Sequence, residues 1–128
     1  MPCLAFALPV AVFDLDNVEQ YIEVRHATGD EQYLAFNNEI ETPAPGEIIF
    51  ADGENQVHAR RWTFRQSRRS TIRPETTQVL ILSEGLHETA DKDVRTVLDL
   101  LSEVITVLWN PPQCRTVLTA EAPRADFE

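Results

Sequence analysis

The alternation of apolar and polar positions predicts several short β-strands in the first two thirds of the chain. Within residues 21–27, Ile22 and Val24 fall on one face and Glu23 and Arg25 on the other, which is the period of two of a half-buried strand. Further strand patterns occupy residues 32–36, 47–51, 56–62 and 78–82. The last of these is continuously apolar, so we expect it to be buried on both faces.

Turn residues separate these strand patterns. The Asp52-Gly53 pair stands between two of them and predicts a β-hairpin. Residues 37–46 are polar and contain two prolines, which favours an ordered loop. Near the start of the chain, Asp14 or Asp16 is placed to cap a short helical turn.

One long helix is predicted near the end of the chain, over residues 91–109. Its apolar positions follow the three-to-four spacing of an amphipathic helix: Val94, Val97, Leu98, Leu101, Ile105 and Leu108. Residues 110–112, Asn-Pro-Pro, should end it, and residues 115–118 are expected to add a last strand. The pattern predicts an α+β fold, with a mixed, mainly antiparallel sheet of about five strands covered by one long C-terminal helix. One sheet face would then stay uncovered, which would favour self-association or a missing covering segment.

Length and composition fit one globular domain without a membrane anchor. The chain has 128 residues, 43% of them hydrophobic, and no apolar run approaches the roughly 18 residues of a membrane span. The apolar opening, residues 1–12, has no basic start, so we interpret it as core and expect a cytoplasmic protein. Cys3 and Cys114 are expected to be reduced thiols. Three scattered histidines and four glycines provide neither a metal-ligand spacing nor a phosphate loop, so no metal or cofactor is predicted.

The charge distribution is uneven. A net charge of −10 repels nucleic acid at long range and argues against a protein that coats DNA or RNA. Yet residues 60–73 hold six of the 11 Lys and Arg residues and no acid. Arginine binds phosphate or carboxylate with two parallel hydrogen bonds, and Trp62 and Phe64 could stack a base or hold an aromatic side chain. The alternative interpretation is a structural salt-bridge cluster with both aromatic side chains facing the core.

Candidates for catalysis are few. Several hydroxyls are available, but no histidine lies near them and no Gly-x-Ser-x-Gly elbow is present, so a nucleophilic mechanism has poor support. Glu84 follows the apolar strand at residues 78–82, and a carboxylate at the end of a central strand often faces a pocket. The alternative is a solvated strand end or a cap of the following helix.

Three blocks of sequence occur in an order and spacing that resemble a known family. They are residues 8–16 followed by 22–27, residues 45–51 leading into 60–67, and residues 70–77 followed by the apolar strand and Glu84. Together they cover roughly residues 6–109. They resemble the amino-acid-editing B3/B4 domain of the phenylalanyl-tRNA synthetase beta subunit, and the second and third blocks resemble its free-standing bacterial versions.

The resemblance implies a function and a set of site residues. In the synthetase this domain binds a mischarged tRNA end and hydrolyses tyrosine wrongly attached to phenylalanine tRNA, which implies a pocket for an aromatic aminoacyl ester and an attacking water. Glu84 looks like the family's substrate-sensing carboxylate and is the candidate catalytic residue. The substrate-binding residues implied are Arg60, Arg61, Trp62, Arg65, Gln66, Ser67 and Thr71.

The chain also departs from the family pattern. Ala11 or Val12 stands where the family has a histidine before its Phe-Asp-Leu, and the family domain extends upstream of the first block. We therefore expect one shortened domain over residues 1–118 and a loose tail over 119–128. The leading hypothesis is a stand-alone domain that recognises an aminoacyl-tRNA end or an aminoacyl ester, with hydrolysis of mischarged tRNA in trans as a candidate activity. The alternatives are a non-catalytic binding module for an amino acid or metabolite, and a structural remnant that acts as a homo-oligomer. DNA and membranes are not expected partners.

Overall fold

The computed structural model describes residues 10–108, 112 and 115–126. These residues fall into two compact units, which we describe separately. The larger unit is Val10–Leu82, and the other contains the described residues from Ser83 onward.

The fold is α+β, as predicted. The strands are β1 (Val10–Asp14), β2 (Ile22–His26), β3 (Gln32–Leu34), β4 (Ile40–Glu41), β5 (Ile48–Asp52), β6 (Gln56–Arg60), β7 (Arg65–Gln66) and β8 (Val79–Ser83). The helix α1 spans Ala90–Leu108, and single 3₁₀ turns lie at Leu15–Asn17 and Arg68–Ser70. Six strands form one sheet in the order β2-β5-β6-β3-β4, with β7 paired to β6, and β1 and β8 form a second sheet of two strands. In the six-stranded sheet β3 and β6 run parallel and the other described pairs are antiparallel.

The predicted hairpin between β5 and β6 is confirmed. Its loop is closed by a hydrogen bond of 3.2 Å from the Asn55 N–H to the Asp52 carbonyl. Asn55 has φ of 57°, so it supplies the left-handed residue that a three-residue hairpin loop requires. The Asp52 carboxylate accepts hydrogen bonds from the N–H groups of Glu54 and Gln56. The carboxylate thus fixes the turn that its own residue begins.

The core lies on both faces of β5. Ile49 and Ala51 point to one face and Phe50 to the other, because side chains alternate along a strand. The first cluster contains Ala27, Tyr33, Ala35, Ile49, Ala51 and Val57. The second contains Ala11, Phe13, Phe50 and Ala59, with Ile22, Leu80 and Leu82 half-buried against it. With both faces covered, β5 is the most deeply buried strand of the sheet and positions its neighbour β6.

Three expectations about local structure were wrong. Val24 is 48% exposed, so on that face of the edge strand β2 Ile22 packs against the core and Val24 does not. The apolar strand β8 is not buried on both faces: Val79 is exposed and residues 80–83 are half-buried, since β8 pairs with β1 in a two-stranded sheet. Residues 115–118, all described, form no strand.

Both predicted helical features are present. Asp14 caps the first 3₁₀ turn by accepting a hydrogen bond of 2.9 Å from the Asp16 N–H, although the turn begins earlier than expected. The long helix α1 confirms the periodic pattern, while its predicted last residue, Trp109, lies outside the described residues, as do Asn110 and Pro111. Among the described helices, none is both long and apolar enough to cross a bilayer.

Candidate functional site

The cation-rich segment forms the turn between β6 and β7. Arg60 ends β6 and pairs across the ladder with Arg65, the first residue of β7. Between them Arg61 and Trp62 have φ of 51° and 61°, a left-handed conformation that large side chains rarely adopt. The turn is held by hydrogen bonds from the Trp62 N–H to the Ile48 carbonyl, 3.2 Å, and from the Phe64 N–H to the Arg61 carbonyl, 3.3 Å. Backbone strain of this kind concentrates at active sites and ligand-binding sites, which makes this turn a candidate for such a site.

Arg60 is held tightly by two carboxylates. Its Nε and Nη2 atoms each donate to Glu47 at 2.8 Å, in a bidentate pair, and Nη1 donates to Glu41 at 2.6 Å. Its side chain is only 11% exposed. The hydrogen bond from Arg60 lowers the pKa of Glu47, and the same bond raises the pKa of Arg60. Arg60 therefore matches the structural salt-bridge interpretation.

Arg65 is held more loosely than Arg60. Its Nη1 and Nη2 atoms lie 3.2 and 3.5 Å from the Glu41 oxygens, and 45% of its side chain is exposed. The guanidinium carbons of Arg65 and Arg60 lie 5.2 and 5.4 Å from the ring centroid of Tyr33, within range of cation–π attraction. Burial raises the pKa of Tyr33, so its hydroxyl stays protonated and donates to the Gln66 carbonyl at 2.9 Å. Arg65 thus presents an accessible guanidinium on a fixed aromatic support.

A cleft of about 400 Å³ opens beside Arg65. Its lining comes from β3, β4, β7 and the segments that follow β3 and precede β7: Tyr33, Ala35, Phe36, Asn37, Glu41, Phe64, Arg65 and Gln66. Phe64 is 81% exposed and Phe36 is 59% exposed. The cleft thus combines apolar ring faces, a cation, a carboxylate and an amide, which is the mixture that small-ligand sites use.

The remaining residues of the predicted site take other positions. Arg65 and Gln66 line the cleft, while Arg61 is exposed and Trp62 half-buried in the turn. Ser67 is fully buried, and its hydroxyl donates to the Leu34 carbonyl at 3.1 Å.

The hydroxyl of Thr71 donates to the Ser67 carbonyl at 3.1 Å, so it supports the local backbone. Glu84 is half-buried, directly follows β8, and belongs to the second unit. Its place beside the arginines stays a prediction.

A buried Asp52–His58 pair was missed by the sequence analysis. The His58 Nε2 atom lies 2.8 Å from Asp52 Oδ2, and both side chains are completely inaccessible to solvent. Burial raises the pKa of Asp52, but hydrogen bonds from His58 and from three backbone N–H groups outweigh it and lower that pKa. Burial lowers the pKa of His58 against the pull of Asp52. Since Val57 and Ala59 flank His58 in the sequence, a polar residue inside an apolar strand was the signal available.

A second buried carboxylate, Glu31, was also missed. It accepts hydrogen bonds from Arg25, from the Thr28 N–H at 3.0 and 3.2 Å, and from the Gly29 N–H at 3.1 Å. Burial raises its pKa, but these donors outweigh burial and bring the pKa to about 2. Glu31 therefore closes the loop between β2 and β3 as a permanent anion at neutral pH. In the described part of the chain, no three His, Cys, Asp or Glu side chains gather where they could hold a metal ion.

Comparison with known proteins places the chain in a family. A comparison with curated proteins finds none that matches the chain. A family model described as the B3/4 domain matches residues 2–104, which is well over half of the sequence. The matched region includes the whole six-stranded sheet and the turn that carries the arginines. The chain therefore belongs to the B3/4 domain family, which is associated with tRNA editing and binding.

Proposed function

We propose that this chain recognises the aminoacyl end of a tRNA, or a related aminoacyl ester, in the cleft beside Arg65. The observation that carries the proposal is the pair of exposed phenylalanine rings, Phe36 and Phe64, on a cleft that also presents a cation and a carboxylate. A cleft of about 400 Å³ suits a group the size of an amino acid or a base. Exposed aromatic rings are the usual surface on which a base or an aromatic side chain stacks.

The charged groups of the cleft match the charges of an aminoacyl end. Arg65 can donate to a phosphate, or to the ester carbonyl oxygen, from a planar fork of N–H groups. Glu41 can pair with the free α-ammonium group of the aminoacyl moiety. The contacts between Arg65 and Glu41, at 3.2 and 3.5 Å, are weak and partly exposed, so a ligand can replace them at little cost.

Hydrolysis of a mischarged tRNA is the activity that the family suggests. Water would attack the ester carbonyl carbon, and the products would be a free amino acid and a tRNA with a free 3′-terminal hydroxyl. Positioning of that water and stabilisation of the developing oxyanion would supply most of the rate. Glu84 keeps its proposed role as the carboxylate that senses the substrate.

A binding experiment tests recognition. Phenylalanyl-tRNA, tyrosyl-tRNA and uncharged tRNA are titrated against the wild-type chain, Arg65→Ala and Arg95→Ala. Arg95 is an exposed arginine of α1 whose partner is Asp91, so its loss is a matched control for charge. We expect charged tRNA to bind more tightly than uncharged tRNA, and Arg65→Ala alone to weaken that binding and its dependence on salt. Equal binding of charged and uncharged tRNA by all three proteins would contradict the proposal.

A deacylation assay separates catalysis from binding. The same two charged tRNAs are incubated with the wild-type chain and with Glu84→Gln, and release of the free amino acid is followed. Release above the spontaneous rate that is lost in Glu84→Gln supports an editing enzyme. Binding without release supports the alternative of a non-catalytic module. The small size of the cleft and the net charge of −10 favour recognition of a small group over contact with the whole tRNA.

A further inference from the structure

The outer edge of β2 is open to a further strand. β2 ends the six-stranded sheet and is paired there with β5. Ala27 directs both of its backbone groups to the β5 side, to the Glu47 carbonyl at 2.7 Å and the Gly46 N–H at 2.8 Å. Because these directions alternate along an antiparallel strand, the N–H and C=O of Val24 point away from β5. Val24 is 48% exposed, and no strand pairs with this side of β2 among the described residues.

We infer that β2 pairs with β2 of a second copy of this chain, antiparallel and with the two-fold axis at Val24. In this register the two copies of Val24 exchange both of their backbone hydrogen bonds. Ile22 of each copy then lies opposite His26 of the other, so about six backbone hydrogen bonds join the two sheets into one. The His26 carbonyl already accepts a hydrogen bond of 3.1 Å from Arg25 Nη1, and its second lone pair is the acceptor for the Ile22 N–H of the other copy.

Charge selects this register over its neighbours. With Val24 on the axis, Glu23 of each copy lies directly opposite Arg25 of the other. The neighbouring registers that use the same outward-facing backbone groups would place Glu23 opposite Glu23, or Arg25 opposite Arg25. Like charges directly opposite each other destabilise a strand pair, and opposite charges stabilise it. The Val24 register is therefore the one in which the edge complements itself.

The two charged side chains are already held at the edge. Arg25 Nε donates to Glu23 at 3.1 Å, and the guanidinium is further held by Glu31 and by Asn55, at 3.3 Å. The side chains of Glu23 and Arg25 are 48% and 25% exposed. Charges on an edge strand usually prevent pairing with other chains. Here Glu23 and Arg25 lie on the same face, one residue to each side of Val24. Each is therefore attracted to the oppositely charged residue that lies across from it in the second copy.

This edge is independent of the candidate cleft. β2 and β4 lie at opposite ends of the strand order, and the cleft is lined by residues of β3, β4 and β7 with their flanking segments. Pairing through β2 uses none of the residues on which the proposed function depends.

Sedimentation over a range of protein concentrations tests the pairing. We expect the wild-type chain to form a reversible dimer, and Glu23→Arg to raise its dissociation constant about tenfold or more because two attractive pairs become repulsive. Glu103→Arg makes the same change of charge at an exposed position of α1 and should leave the constant unchanged. A wild-type chain that stays monomeric at every concentration, or equal dissociation constants for the two variants, overturns the inference.

A cross-linking experiment tests the register itself. In the Val24 register the two Cα atoms on the axis are about 5.5 Å apart, which suits a disulfide. Under mild oxidation Val24→Cys should give a covalent dimer linked through that position. Tyr21→Cys, at a residue 51% exposed that faces Ala27 of the second copy, should give only the background from the two native cysteines. Equal yields from the two variants would overturn the register.

Discussion

The two ends of the β5–β6 hairpin are built in opposite ways. At one end the Asp52 carboxylate accepts four hydrogen bonds and is inaccessible to solvent. At the other end the chain continues through two strained residues, Arg61 and Trp62, to a phenylalanine that is 81% exposed. A side chain whose hydrogen-bonding capacity is filled from within the protein stabilises the fold. An accessible aromatic ring beside a weakly paired cation can still stack and donate hydrogen bonds, and a ligand can use both interactions.

The same contrast separates the two neighbouring arginines. Arg60 has three donors on two carboxylates at 2.6–2.8 Å, whereas Arg65 shares one carboxylate at 3.2 and 3.5 Å. The sequence alone is compatible with a structural role and with a ligand-binding role for the cation-rich segment. The geometry supports one role for each arginine: structure for Arg60, and binding for Arg65 in the proposal above.

The largest expected effect on stability is at the Asp52 end of the hairpin. Asp52→Ala leaves buried N–H groups and the Nε2 of His58 without an acceptor, so it should lower the free energy of unfolding by about 3–5 kcal/mol. Urea denaturation measures this, with Asp91→Ala as the control, because the Asp91 side chain is 62% exposed. A loss below about 1 kcal/mol for Asp52→Ala would mean that the pair does not hold the hairpin.

The next effect concerns the pH dependence of Glu31. Its pKa in the folded chain is about 2, below its ordinary value of 4.5, so the unfolded chain takes up the proton first as the pH falls. Its contribution is thus complete above about pH 4.5 and is lost between pH 4.5 and 2, by roughly 3 kcal/mol in all. Unfolding free energies of the wild-type chain and Glu31→Gln, measured across this range, should converge toward acid pH. Parallel curves would contradict the assignment.

A smaller effect distinguishes the two arginines. Arg60→Ala leaves the half-buried Glu47 without its partner and should cost about 2 kcal/mol of unfolding free energy. Arg65→Ala breaks an exposed pair and should cost less than about 0.5 kcal/mol. Thermal and urea unfolding of both variants measure the difference. If Arg65→Ala proved the more destabilising, the division of roles between the two arginines would be wrong.

The smallest effect on stability is expected at Phe64. Because its ring is 81% exposed, Phe64→Ala should change the unfolding free energy by less than about 0.5 kcal/mol. The same variant should weaken binding of an aminoacyl ligand about tenfold, the size of one lost stacking contact. Val107→Ala, an equally exposed apolar residue of α1, serves as the control in both measurements. Unchanged ligand affinity in Phe64→Ala would remove the ring from the proposed site.

Local signals in the sequence predicted local structure well. The Asp52-Gly53 hairpin and the helix α1 depend on neighbours within a few residues, and both are present. The parallel pairing of Gln32 with Gln56 joins distant segments, and no pattern within either segment indicates it. The apolar run of β8 was misread for the same reason: hydrophobicity predicts a strand but not how many strands will flank it.

The candidate site was only partly readable from the sequence. Arg65 and Gln66 stood out because the chain gathers cations where they occur. Phe36 and Glu41 come from the segment after β3, and their place in the cleft depends on the antiparallel pairing of β3 with β4. Charge density along the chain thus locates one wall of the cleft, while tertiary pairing determines the other.

The proposed function depends on the cleft beside Arg65 holding the aminoacyl end. The most direct test is a titration with a non-hydrolysable phenylalanyl amide of 3′-amino adenosine, followed by NMR of the labelled chain. We expect chemical-shift changes concentrated on the rings of Phe36 and Phe64 and on the side chains of Arg65 and Glu41, with the shifts of the Asp52–His58 pair unchanged. Saturable binding whose shifts lie elsewhere, or no binding at all, would contradict the proposed function.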